Sequence, residues 1–85
     1  MNPYEIILHP YVTEKTLAMI ENNNALQFAV KIDANKKQIK EAVEKIFDVK
    51  VVKVTTKIGA KGKIATVKLS PEYNAEDIGM RIGIF

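Results

Sequence analysis

Apolar residues recur along the chain at two spacings, every second residue and every third or fourth. The alternation is cleanest at Leu26, Phe28, Val30 and Ile32, which take turns with Gln27, Ala29 and Lys31. Successive strand side chains point to opposite faces, so this is the pattern of a half-buried strand. The helical spacing is cleanest at Ile39, Ala42, Val43, Ile46 and Phe47, which fall at i, i+3, i+4, i+7 and i+8 on one helical face. A helix is therefore predicted over residues 35–47. Asn35 and Gln38 have the spacing of a capping box, and Glu41 precedes Lys45 by one turn in the favourable order.

Weaker patterns fill in the rest. Residues 4–8 read as a short strand stopped by Pro10. Residues 12–22 read as a helix with Thr13 as N-cap, Glu14 in the first turn, and Leu17 and Ile20 on one face. Asn22, Asn23 and Asn24 make a turn. Residues 49–58 are β-branched: Val52, Val54, Thr56 and Ile58 share one face, and Lys53, Thr55 and Lys57 the other. Val49 and Val51 are out of phase with this, which predicts a bend or bulge where the strand begins. Gly59-Ala60-Lys61-Gly62 suits a hairpin loop, and residues 63–69 return as a strand with Ala65, Val67 and Leu69 facing one way. Pro71 breaks that strand. Asn74 caps a last short helix with Ile78 and Ile82 on its buried side, Gly83 ends it, and Phe85 follows as an expected core plug. The element order is strand, helix, strand, helix, strand, strand, helix. It predicts an α+β two-layer sandwich, a four-stranded, mainly antiparallel sheet with helices packed against it.

A chain of 85 residues is expected to be a single domain over residues 1–85. It contains no cysteine, which excludes disulfides and thiolate-ligated metals and fits a reducing, cytoplasmic setting. No apolar run approaches the ~20 residues that span a bilayer, and Met1 to Pro10 lacks the basic start and cleavage site of a signal peptide. No membrane partner is expected.

Candidate chemistry is sparse. His9 is the only histidine and Ser70 the only serine, and neither has a partner at a spacing that makes a nucleophile or a base. No metal-ligand spacing occurs, and Glu72, Glu76 and Asp77 read as helix N-terminal acids. The Gly59–Gly62 loop joins two strands, unlike a phosphate-binding loop, which joins a strand to a helix. No enzyme, metal or cofactor is expected.

Charge changes the picture by its placement. The net charge is only +3, yet Lys53, Lys57, Lys61, Lys63 and Lys68 lie in sixteen residues without an intervening acid. Lys36, Lys37 and Lys40 form a second group near the start of the long helix. These lysines could solvate a helix and block a sheet edge, or they could follow a nucleic-acid backbone, with Thr55, Thr56 and Thr66 adding hydroxyls. The strands carry Phe28 alone among aromatics, in the buried phase, so the bases of single strands have no platform on which to stack. Two function classes remain open: a protein of folded RNA, read by shape and backbone, and a small protein-interaction or regulatory module without RNA binding.

Four stretches resemble one family. Pro10-Tyr11-Val12-Thr13-Glu14-Lys15, Asn35-Lys36-Lys37-Gln38-Ile39-Lys40-Glu41-Ala42-Val43, Ile46-Phe47-Asp48-Val49-Lys50-Val51-Val52-Lys53-Val54-Thr55-Thr56, and Lys61-Gly62-Lys63 with Ala65-Thr66-Val67-Lys68-Leu69 are similar, in order and spacing, to large-subunit ribosomal protein twenty-three in its short archaeal form. The resemblance implies a structural protein of the cytoplasmic ribosome, monomeric outside it. It also implies binding to the third domain of large-subunit rRNA beside neighbouring ribosomal proteins at the polypeptide exit tunnel. By the same resemblance, Glu14 docks factors such as the signal recognition particle, and Lys15 faces rRNA or factor. The expected rRNA-binding set is then Lys15, Lys36, Lys37, Lys40, Lys53, Thr55, Lys57, Lys61, Lys63 and Lys68. The turn between Ile58 and Lys63 is shorter than the hairpin of bacterial members, so the likeness does not extend to a hairpin tip inside the tunnel.

Overall fold

A computed structural model describes residues 2–85. They form α1 (Pro3–Ile6), β1 (Ile7–Pro10), α2 (Glu14–Asn23), β2 (Ala25–Val30), α3 (Lys36–Phe47), β3 (Val51–Gly59), β4 (Gly62–Leu69) and α4 (Ala75–Arg81). The strands make one antiparallel sheet in the order β1-β2-β4-β3. β2 and β3 thus run parallel with β4 between them, and α3 supplies the crossover that parallel strands need. The expected α+β architecture is present.

α3 follows its sequence closely. Asn35 Oδ1 accepts from Gln38 N at 2.8 Å, Gln38 Oε1 accepts from Asn35 N at 3.0 Å, and Ile39, Ala42, Val43 and Phe47 are buried. They pack on the sheet face built by Leu26, Phe28, Val54, Ala65 and Val67, where the rings of Phe28 and Phe47 stack at 5.7 Å. Burial of apolar surface, worth ~25 cal/mol per Å², is the main term that offsets chain entropy in a small domain, and this layer contributes to it.

Several boundaries differ from the sequence expectation. Residues 4–8 do not all form a strand. Asn2 Oδ1 accepts from Tyr4 N, Pro3 sits at the first helical position, and one helical turn forms before the chain extends at Ile7. β1 does end at Pro10, but it runs past Leu8 to include the proline, which an edge strand accommodates because it loses no ladder bond to a missing N–H. β2 is buried on both faces, since α2 packs against it as well as α3, while Ile32 falls beyond its end and is exposed.

The expected bulge occurs at Val52. Val51 pairs with Leu69 and Lys53 with Lys68, leaving Val52 as the extra, exposed residue. Val51 and Val54 therefore both face the core, and the face predicted for Val52, Val54, Thr56 and Ile58 is broken. Ile58, at the far end of the hairpin, is also exposed. The N–H of Val51 donates to Glu44 Oε2 at 2.9 Å, so α3 anchors the irregularity.

At the other end of the molecule Asn24 adopts the left-handed conformation (φ 53°) that closes α2. Its Nδ2 donates to Tyr73 O at 2.8 Å, and its Oδ1 accepts from Ala75 N at 2.8 Å, tying the segment before α4 to α2. Phe85 is not a core plug. Gly83 (φ 76°) turns the chain back, and the Phe85 ring lies 62% exposed on the outer side of α4, over Gly79.

Candidate nucleic-acid interface

α3 covers one face of the sheet. The opposite face is open along β3 and β4, and α2 borders it. Register partners share a face, so Lys53 with Lys68, Thr55 with Thr66, and Lys57 with Ile64 form three rows across the open side. From β2, Ala25, Gln27 and Ala29 continue the same rows. Two adjoining hollows of about 290 and 260 Å³ run between α2 and β3. Lys15, Met19 and Asn23 of α2 form one wall, and Lys53, Thr55 and Lys57 of β3 form the other. Gln27, Ile64 and Thr66 lie on the floor of the groove and Lys68 at one end.

The floor is held by a chain of hydrogen bonds. Thr13 Oγ1, the N-cap of α2, accepts from Thr16 N at 3.1 Å and lies 3.2 Å from the Thr16 hydroxyl. Thr16, which is buried, donates to Gln27 Oε1 at 2.7 Å, and Gln27 Nε2 donates to Thr66 Oγ1 at 3.0 Å. Buried polar groups are costly when unpaired, and this chain leaves neither Thr16 nor Gln27 unsatisfied among the described residues. It also fixes α2, and with it Glu14 and Lys15, against the sheet.

The groove lysines are not neutralised. The one ion pair among the described residues is Lys31 with Asp33 at 3.9 Å, away from the groove. Lys53 and Lys68 stand directly opposite each other on neighbouring strands, an arrangement that disfavours the free fold. The protein carries an uncompensated positive surface with hydroxyls at its centre and no exposed aromatic ring among the groove residues, which suits a polyanion bound through its backbone.

The predicted site residues divide into three groups. Lys15, Lys53, Thr55, Lys57 and Lys68 come together at the groove, and Lys61 continues the basic surface to the hairpin end beside Tyr11 and Lys57. Lys36, Lys37 and Lys40 lie on α3, in the layer on the other side of the sheet, and do not join them. Lys63 also points to that other side, where its Nζ donates to Ala34 O at 2.5 Å and Ile32 O at 3.4 Å. Glu14 is exposed in the first turn of α2, next to Lys15. Sequence reasoning missed Met19, Asn23 and Gln27. Gln27 had a signal, being the one amide inside an otherwise apolar strand, but its partner Thr16 lies on another element. A larger hollow, about 590 Å³, lies elsewhere, and its lining includes Glu21, Glu72 and Glu76. Its carboxylates repel phosphate, so charge rather than size identifies the interface.

Comparison with known proteins agrees in one direction. A family model described as Ribosomal protein L23 matches residues 5–75. The chain is 49% identical to Large ribosomal subunit protein uL23 of Methanobrevibacter smithii, over 100% of both chains. It is 44% identical to the proteins of that name from Methanothermobacter thermautotrophicus and Methanosphaera stadtmanae, again over 100% of each chain.

Proposed function

Because the chain belongs to the ribosomal protein L23 family, we propose that it works as a structural, non-catalytic protein of the large ribosomal subunit that binds rRNA through the groove between α2 and β3. Its archaeal relatives are named as large-subunit proteins, and its place is accordingly the cytoplasmic ribosome. The observation that carries the RNA assignment is the set of unpaired lysines and central threonines on the open sheet face. Lys15, Lys53, Lys57, Lys61 and Lys68 neutralise phosphates, each contact adding a salt-sensitive share of affinity. The rigid sheet beneath them sets the spacing that makes binding selective for shape.

The remaining roles belong to the same proposal. Lys36, Lys37 and Lys40 meet a different RNA element from the groove, since they lie on the opposite side of a molecule whose Cα extents are 28 × 26 × 21 Å. Glu14 is offered to solvent at the start of α2, available to the signal recognition particle at the tunnel exit. Lys63 is withdrawn from the RNA-binding set by its bonds to the carbonyls of Ala34 and Ile32. Outside the ribosome the protein is a monomer.

The test is a titration against the third domain of large-subunit rRNA and an unrelated structured RNA of equal length, at low and at physiological salt. Preference for the first that survives physiological salt is expected, and Lys57→Glu with Lys61→Glu should weaken it without unfolding the domain. Equal, salt-labile binding to both RNAs would overturn the assignment in favour of a protein-interaction module.

A further inference from the structure

Given rRNA binding at this surface, the geometry points to a narrower ligand. We infer that the groove seats one sugar–phosphate strand of a double-helical RNA, and that Thr66 and Thr55 read its ribose 2′-hydroxyls. The groove has cationic residues on both walls: Lys15 on α2, and Lys53 and Lys57 on β3. Lys53 and Lys57 are four residues apart, about 13 Å along a strand, so they reach different phosphates of one backbone. Lys68 reinforces Lys53 at one end. A ridge of negative charge flanked by two cationic walls is a better fit than a flat array of bases.

The floor decides which backbone. Thr16 donates to Gln27 Oε1 and Gln27 Nε2 donates to Thr66 Oγ1. The Thr66 oxygen is thus already used as an acceptor, and its own proton is free to be donated into the groove. Thr55, its exposed partner across the strands, has no intramolecular bond among the described residues and can donate or accept. A 2′-hydroxyl is both donor and acceptor and complements this pair, whereas deoxyribose offers nothing there. Gln27 is 9% exposed and acts as a positioning residue, holding Thr66 in one hydrogen-bonding sense.

Base pairing in the ligand follows from the same surface. Unpaired bases bind proteins largely by stacking on aromatic side chains. The groove offers Met19 and Ile64 as its large apolar residues and no ring; a half-buried ring, Tyr11, lies in the adjoining hollow at the hairpin end, too little for successive unpaired bases to stack on. An RNA whose bases stack on one another in a duplex loses nothing by this.

The experiment compares the full chain binding to an RNA duplex, a DNA duplex of the same sequence and a single-stranded RNA of equal length, at one physiological salt concentration. The RNA duplex should bind tightest. Thr55→Val and Thr66→Val should each weaken RNA-duplex binding about fivefold, the worth of one net hydrogen bond, while DNA-duplex binding stays unchanged, so the RNA-to-DNA ratio narrows. Thr55 is exposed and its valine variant will fold even if Thr66→Val disturbs Gln27. Tighter binding of the single strand, or a ratio that Thr55→Val leaves unchanged, overturns the inference. Lys53→Glu serves as the separate control. If it abolishes binding to RNA while the ratio is unmoved by the threonine variants, RNA binding at this face stands and ribose reading falls; if it binds every RNA as the parent does, both fall.

Discussion

Lys53 and Lys68 face each other across β3 and β4 on the open side of the sheet, with no carboxylate to separate them. Lys68→Glu should therefore make the free protein more stable and the RNA complex weaker. The substitution replaces a cross-strand repulsion by an attraction, each worth roughly 0.2–1 kcal/mol. Both side chains are exposed, which argues for the low end, a net gain of about 0.5 kcal/mol. In a domain of 85 residues a gain of that size raises Tm by about 2–4 °C. The gain is electrostatic and must vanish at ~1 M salt, where the screening length is ~3 Å. RNA binding moves the other way: one phosphate contact is lost, and the slope of log K against log salt should fall by about 1. Thermal unfolding followed by circular dichroism at low and high salt, with fluorescence anisotropy on labelled rRNA, reads both effects. A lower Tm at low salt, or a gain that persists at high salt, would refute the electrostatic account; unchanged RNA affinity would remove Lys68 from the interface.

Lys63→Met should lower stability by about 1 kcal/mol, through the lost bonds to Ala34 O and Ile32 O, and leave RNA affinity alone; a loss of affinity equal to that of Lys57→Glu would return Lys63 to the interface. Asn24→Ala should cost about 2–4 kcal/mol in denaturant unfolding, because it removes the bonds to Tyr73 and Ala75 and places alanine at φ 53°. Asn24→Gly keeps that conformation and should recover about 1 kcal/mol of the loss; equal costs for the two would show that the backbone contributes nothing. Glu44→Ala should speed hydrogen exchange at the Val51 amide and cost about 1 kcal/mol; unchanged exchange would mean that Glu44 does not anchor the bulge.

The elements with a strong period were legible in the sequence because one surface decided each of them. The stripe from Ile39 to Phe47 meets a single sheet face, and Asn35 and Gln38 close the helix locally. Legibility ended where an element answered to two surfaces or to a cap. β2 alternates large apolar residues with Ala25, Gln27 and Ala29 yet is buried throughout, because α2 covers the Gln27 side, and the period of its large residues does not announce a cover that comes from elsewhere. Tyr4 and Ile6 suit a strand as well as a helix, and the side chain of Asn2 settled the matter. At the candidate site the lysines were visible as a charge run, but Lys63 could not be separated from Lys57 by charge. Only the pairing of Lys63 with Val30 and Ile58 puts it on the helix side of the sheet.

The bulge at Val52 joins fold to function. With a period of two, a slip of one residue turns every side chain of a strand to the other face. Val51 is buried, so a regular continuation from it would send Lys53, Thr55 and Lys57 toward α3 and expose Val54. An unpaired charge buried in that layer is costly, and Lys63 is accommodated on that side only with the carbonyls of Ala34 and Ile32 as acceptors. One extra residue at Val52 resets the phase: Val54 enters the core beside Val67, and the lysines turn out to the groove opposite α2. The reset sits next to the Val51 N–H that Glu44 of α3 accepts. The helix that fills one face of the sheet thus holds, through Glu44, the residue beside the bulge that turns Lys53, Thr55 and Lys57 to the other face.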